Sequence, residues 1–167
     1  MKDYVLELVK KYRDRGLLVD TNLLLLLFIG AFNRDLIGKD KRLAAYAPED
    51  FDALIALMDF FPKRLITTPN VLTELSNLSG HLLQTNFCNV FASTVDLLLE
   101  EFRPSLEVLS VPEMRRYGLT DGAISVVAKG KYLVLTDDFP LAGQLAKSGV
   151  DCINFNHVRT RAWHLSQ

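Results

Sequence analysis

Five acids in this sequence stand where apolar runs give way to polar ones. Asp20 closes "LLVD", Glu74 lies within "NVLTELSNL", Asp121 opens "DGAISVVAK", and Asp137 and Asp138 follow "YLVLT". Carboxylates gathered in one cleft repel one another and raise their own pKa values unless a cation neutralises them. An oxygen-only donor set, without His or Cys, selects hard ions such as Mg2+ or Mn2+. The reaction best suited to that arrangement is phosphodiester hydrolysis. There the metal lowers the pKa of a bound water and stabilises charge on the phosphoryl oxygens, with two ions ~3.5 to 4 Å apart in many nucleases. Each acid taken alone has a plainer reading. Asp20 and Asp121 sit where helix caps and first-turn acids are favoured. Glu74 can be a solvated helix residue, and Asp137 and Asp138 can be turn residues before Pro140.

The elements that must position these acids are legible from periodicity. Tyr4, Val5, Leu8, Val9 and Tyr12 recur at helical spacing over residues 3–15, and Gly16 closes that helix. "LLVD" reads as a short buried strand. "NLLLLLFIGAF" is too long for a second strand and predicts a buried helix from Thr21. Residues 33–50 form a polar loop carrying Arg34, Lys39, Lys41 and Arg42, and Phe51, Leu54, Ile55 and Met58 mark the next helix. "RLITTP" reads as a strand, with Thr68 as the N-cap and Pro69 in the first turn of the helix bearing Glu74. A helix is expected over Phe91, Val95, Leu98, Leu99 and Phe102, stopped by Pro104, and a short strand over "LEVLSV". The tail alternates strand "YLVLT", helix "PLAGQLAKSG" and strand "DCINF".

Strands separated by helices predict an α/β fold, a three-layer α/β/α sandwich around a central parallel sheet. All the acids then fall on the edge formed by the carboxyl ends of the strands, where ligands bind in such sheets. One domain over residues 1–155 is expected, with 156–167 as a C-terminal tail.

Bulk properties exclude several classes. The 167 residues suffice for a single core, and the 49% apolar fraction argues against a disordered chain. Lys and Arg total 19 against 20 Asp and Glu, so overall charge does not drive nucleic-acid binding, although a local basic patch can. Cys88 and Cys152 form no CxxC pair and no disulfide framework. The start "MKDYVLELV" does not read as a signal peptide, which makes the cytoplasm the expected compartment. The run at 23–29 has seven consecutive apolar residues, against the ~18 to 20 of a membrane span. No GxGxxG or GxxxxGK[ST] occurs, which sets aside a Rossmann-type or P-loop nucleotide binder. His81, His157 and His164 fall outside the acidic segments, in surface or packing roles.

"LVDTNLLL", "TPNVLTELSNL", "GLTDGAISVVA" and "YLVLTDDFPLA" occur in an order and at a spacing that resemble the PIN domain, a metal-dependent ribonuclease family common among toxins of toxin–antitoxin pairs. The resemblance spans residues 17 to about 155. It implies that Asp20, Glu74, Asp121 and Asp138 form a catalytic cluster around Mg2+ or Mn2+, with Asp138 completing it directly or through a water. Asn22 and Thr136 would fix carboxylates or waters around that cluster. Asp137, in the variable middle position of a T-x-D motif, is the neighbour to be told apart from Asp138. The implied substrate is RNA, single-stranded or looped. Gripping it needs positive charge near the acids, for which Arg34, Lys39, Lys41, Arg42, Arg115 and Arg116 are the candidates, each with the plainer reading of a solvated surface charge. The resemblance further implies a homodimer and a small antitoxin partner. Other readings are an RNA-processing or single-stranded DNA nuclease, and a non-catalytic interaction domain of the same fold.

Overall fold

A computed structural model of the chain describes residues 2–80, 87–111 and 118–159. Five strands form one all-parallel sheet: β1 Leu17–Val19, β2 Leu65–Thr67, β3 Leu98–Glu100, β4 Leu133–Thr136 and β5 Cys152–Asn154. Their spatial order is β3-β2-β1-β4-β5. The chain steps outward from β1 to β3, then returns to place β4 on the other side of β1. Leu17 pairs with both Leu65 and Leu133, so β1 is central. The direction of winding reverses between β1 and β4, and a crevice opens at the carboxyl ends of two such strands.

The helices among the described residues are α1 Lys2–Tyr12, α2 Thr21–Phe32, α3 Pro48–Met58, α4 Pro69–Ser79, α5 Phe87–Val95, α6 Ser105–Leu109, α7 Leu119–Ala128 and α8 Phe139–Lys147, with a 3-10 turn at Arg34–Leu36. They cover both faces of the sheet in a three-layer α/β/α arrangement. The leucine run is explained by position. α2 packs against α3, α4 and α5 as well as β4, and residues 23–30 are all buried. A helix that is apolar all round has to be enclosed on every side, and this one is. Phe28 stacks on Phe91 of α5 at 4.8 Å between ring centroids. No described helix is long and apolar enough to cross a membrane.

Two expected elements exchange places. Leu98 and Leu99 belong to β3, paired with Leu65 and Ile66, instead of prolonging α5. "LEVLSV" contributes to α6 rather than to a strand. Short leucine-rich runs satisfy both periods, and the open edge of β2 decides between them by offering a ladder of hydrogen bonds. The expected tail is also anchored at its start. Asn156 donates to the Asp137 carbonyl at 2.5 Å, and Arg159 donates to the Ala45 carbonyl at 2.8 Å. On the opposite flank, Tyr12 and Lys11 of α1 both donate to Asp151, at 2.9 and 2.6 Å, tying the first helix to the entrance of β5.

Gly30, inside α2, is there for Phe51. A Cβ at this position would lie 2.3 Å from Cδ2 and 2.6 Å from Cε2 of that ring. Replacing an interior helix glycine by alanine ordinarily stabilises by ~1 kcal/mol. Here the overlap forces the ring or the helix to move, at ~1 to 3 kcal/mol. Gly30→Ala is therefore expected to lower the thermal midpoint, and Phe51→Leu in the same background to restore part of the loss. Thermal unfolding of the three proteins followed by circular dichroism checks this.

Candidate functional site

Asp20 and Asp138 are delivered by strand-to-helix transitions, Asp121 by a helix start and Glu74 by the second turn of a helix. The Asp20 amide donates to the Leu135 carbonyl at 3.0 Å, so its backbone still belongs to the β1–β4 pairing. Its side chain then caps α2: one carboxylate oxygen accepts from the Thr21 amide at 2.6 Å, and the other accepts from the Thr136 hydroxyl at 2.5 Å. Asp20 is only 6% exposed. Thr136, the fully buried last residue of β4, also accepts from the Asp138 amide at 3.0 Å. One hydroxyl thus fixes both the first acid and the turn bearing the last.

Asp138 caps α8 by accepting from the Leu141 amide at 2.9 Å. Asp121 lies in the first turn of α7. Glu74 lies on α4, after Thr68 has capped that helix through the Val71 amide, and its carboxylate accepts from the Thr21 hydroxyl at 3.2 Å. Capping and convergence are therefore not alternatives, because Asp20 and Asp138 do both. The four acids line one cleft of about 360 Å³ together with Thr21, Asn22, Gly118, Leu119 and Thr120. No Lys, Arg or His is among its described lining residues.

The electrostatics carry the mark of that gathering. Burial pushes the Asp20 carboxyl up to about 6, against the opposing hydrogen bonds from Thr136 and Thr21 and with the charges of Asp137 and Asp138 adding to the rise. Asp121 is pushed up to about 7, first by burial and then by the charges of Asp20, Asp138 and Glu74. Asp121 feels all three partners, so the four carboxylates share one field.

Asp137 is directed elsewhere. Its carboxylate accepts from the Tyr46 hydroxyl and, at 3.2 Å, from the Asn22 amide, and it does not line the cleft. Burial and the Asp137 charge push the Tyr46 phenol upward, so Tyr46 remains a donor. Asn22 bridges the two sets: it lines the cleft and holds Asp137 away from it. Thr21, Tyr46 and Asn156 are the residues that sequence reasoning passed over. Thr21 had a signal, since it stands between Asp20 and Asn22. Tyr46 had none, because its partner lies 91 positions away.

The basic candidates separate. Arg34 pairs with Asp52 at 2.5 Å and donates to the Pro48 carbonyl at 3.2 Å, bracing its loop against the start of α3. Lys39, Lys41 and Arg42 share a pocket with Asp40 and Asn77. Arg115 and Arg116 lie outside the described residues, as do His81 and His164. His157 packs edge-on against Phe139 at 5.8 Å, apart from the acids.

Among the described residues, no three His, Cys, Asp or Glu side chains are already arranged to hold a metal ion. The chemistry of the donor set nonetheless fits a divalent cation. The cleft presents carboxylate oxygens from four separate elements, without a described counter-charge. Asp20 is buried and fixed by two hydrogen bonds, whereas the half-buried Asp138 and the exposed Glu74 each accept one and keep a second carboxylate oxygen for a cation. No model of a known protein family matches the chain, and no curated protein and no solved structure is significantly similar to it.

Proposed function

We propose that this chain is a divalent-cation-dependent ribonuclease of the PIN type. The observation that carries the reading is the convergence of Asp20, Glu74, Asp121 and Asp138 in one cleft at the carboxyl edge of a parallel sheet, with no counter-charge among its described lining residues. Such a cluster is costly to maintain without a cation, because like charges at short range raise each other's pKa values. The four acids would hold Mg2+ or Mn2+, which when bound supplies Lewis-acid stabilisation of charge on phosphoryl oxygens and lowers the pKa of a water.

The chain's own contributions are positional. Thr136 and the Thr21 amide fix Asp20, and Thr21 also steadies Glu74. Tyr46 and Asn22 draw Asp137 aside, leaving Asp138 to face the cleft. The motif resemblance adds the context of a toxin with an antitoxin partner.

The test is cleavage of a mixed pool of labelled RNA and single-stranded DNA oligonucleotides with Mg2+, with Mn2+ and with EDTA. Cation-dependent RNA cleavage that is lost in Asp20→Asn supports the reading. Preferential cleavage of DNA would reassign the substrate. Folded protein that neither cleaves nor binds cation by calorimetry would turn the reading toward an interaction domain.

The neighbouring acids give a sharper expectation. Asp138→Asn is expected to lower kcat/KM by about a hundredfold or more, since a cation-facing charge is worth several kcal/mol. Asp137→Asn is expected to stay within about tenfold of wild type and to lower the thermal midpoint, through its bonds to Tyr46 and Asn22. Equal losses in both variants would show that the two acids act as a unit.

A further inference from the structure

The acidic cleft opens into a longer trough. A second depression, of about 370 Å³, shares Glu74, Leu119 and Thr120 with the cleft and adds Asn70, Thr73, Asn77, Phe102 and Arg103. A third, of about 410 Å³, shares Asn77 with the second and is lined by Lys39, Asp40, Lys41 and Arg42. Glu74 and Asn77 stand three residues apart on α4, one helical turn or about 5 Å along its axis. The three spaces therefore adjoin along α4: the mixed groove runs from Pro69 to Asn77, the acidic cleft opens beside it at Glu74, and the basic pocket meets it at Asn77.

Their chemistries differ in a way that fits one kind of ligand. Lys39, Lys41 and Arg42 are exposed and enter no ion pair with another described residue. With Asp40 beside them, the charged side chains among the described lining residues are three cations and one carboxylate. Phe102 is 65% exposed and lines the second depression. It follows Glu101, whose carboxylate is turned back to accept from the Tyr132 hydroxyl at 2.7 Å. Arg103 beside it is half-buried and leans on Glu107 at 3.6 Å. Cations that track a backbone, next to an open aromatic face on which a base can stack, are the two parts of a single-strand binding groove.

We propose that this trough is the track for single-stranded nucleic acid: Lys39, Lys41 and Arg42 hold backbone phosphate, Phe102 stacks a base, and the strand leads past Asn77 and Glu74 into the acidic cleft. The assignment rests on the nuclease reading for its direction, although binding itself needs no chemistry. A duplex keeps its bases stacked inside and cannot present one to Phe102, so single strands are preferred. An acidic protein segment could satisfy the lysines but gives Phe102 no role.

The experiment is fluorescence anisotropy of a labelled 12-nucleotide single-stranded RNA with the full chain in EDTA, over a series of salt concentrations. The proteins are wild type, Lys39→Ala/Lys41→Ala/Arg42→Ala and Phe102→Ala, each checked for folding by circular dichroism. The triple variant is expected to bind about 10- to 100-fold more weakly, with a log–log salt slope shallower by about 2. Phe102→Ala is expected to lose about tenfold with the slope unchanged, and the matching duplex to bind more weakly than the single strand. Wild-type affinity in both variants, no binding by wild type, or equal binding of an acidic peptide of the same charge would each overturn the track. Binding with this pattern but without cleavage in Mg2+ would support the track and end the nuclease reading. Cleavage with unchanged affinities would do the reverse.

Discussion

Asp20→Asn is expected to remove cation-dependent cleavage by on the order of a thousandfold or more, while making the cation-free protein more stable at pH 7.5. The two effects have one cause. Asp20 is nearly fully buried, and its carboxyl is pushed up to about 6 from an ordinary 3.8. The charge that the reaction uses is one the fold tolerates poorly. Asparagine keeps an oxygen for the Thr21 amide and caps a helix about as well as aspartate, so α2 keeps its start. What disappears is the buried charge. Raising the carboxyl from 3.8 to about 6 corresponds to roughly 3 kcal/mol. Part of that gain is offset because the asparagine NH2 then faces Thr136, whose buried hydroxyl proton loses its acceptor. A net gain of about 1 to 2 kcal/mol raises the midpoint by ~2 to 8 °C in a chain of this size. Steady-state cleavage and calorimetric unfolding on the same preparations check both halves. A variant that lost activity and stability together would make Asp20 a structural cap and nothing more.

The second expectation concerns the wild type alone. In EDTA, its stability should fall as pH rises from about 4 to 7.5. The sign follows from linkage. Asp20 and Asp121 have folded pKa values raised to about 6 and about 7. Between the unfolded value and these, the native state holds protons that the unfolded chain has released. Stability therefore decreases with pH through that window and levels off above it. Asp20 supplies most of the effect, roughly 3 kcal/mol at most. Asp121 adds less, because it is half exposed and solvent screens its neighbours. Added Mg2+ or Mn2+ should reverse the trend, since cation binding displaces those protons and strengthens as pH rises. Thermal midpoints measured at pH 5.0 and 7.5, with EDTA and with 1 mM Mg2+ (about a thousandfold above a micromolar Kd, hence ~4 kcal/mol), separate the cases. A midpoint that rose with pH in EDTA, or that ignored the cation, would remove the electrostatic basis of the site.

Both expectations grow from features that local sequence already carried. Asp20, Glu74, Asp121 and Asp138 were legible because each follows an apolar strand or lies in the first two turns of a helix, and a parallel sheet gathers such positions on one edge. The buried character of α2 was equally plain, because an apolar run with no polar stripe has no face to give to solvent. Fold class and edge are properties of short segments and their alternation, and sequence by itself determined them.

The remainder depended on partners far along the chain. Leu98 and Leu99 became a strand because the edge of β2 was open to them. Asp138 rather than Asp137 lines the cleft because Tyr46 and Asn22, 91 and 115 positions away, bind Asp137. Arg34 left the set of free cations because Asp52 lies beside it, and Lys39, Lys41 and Arg42 joined a trough because Asn77 of α4 borders their pocket. Periodicity reports which face of an element is apolar, and it reports this locally. Which of two adjacent carboxylates turns toward a cleft is a small difference between competing hydrogen bonds, and the donors that decide it are brought within reach only when the whole sheet has closed.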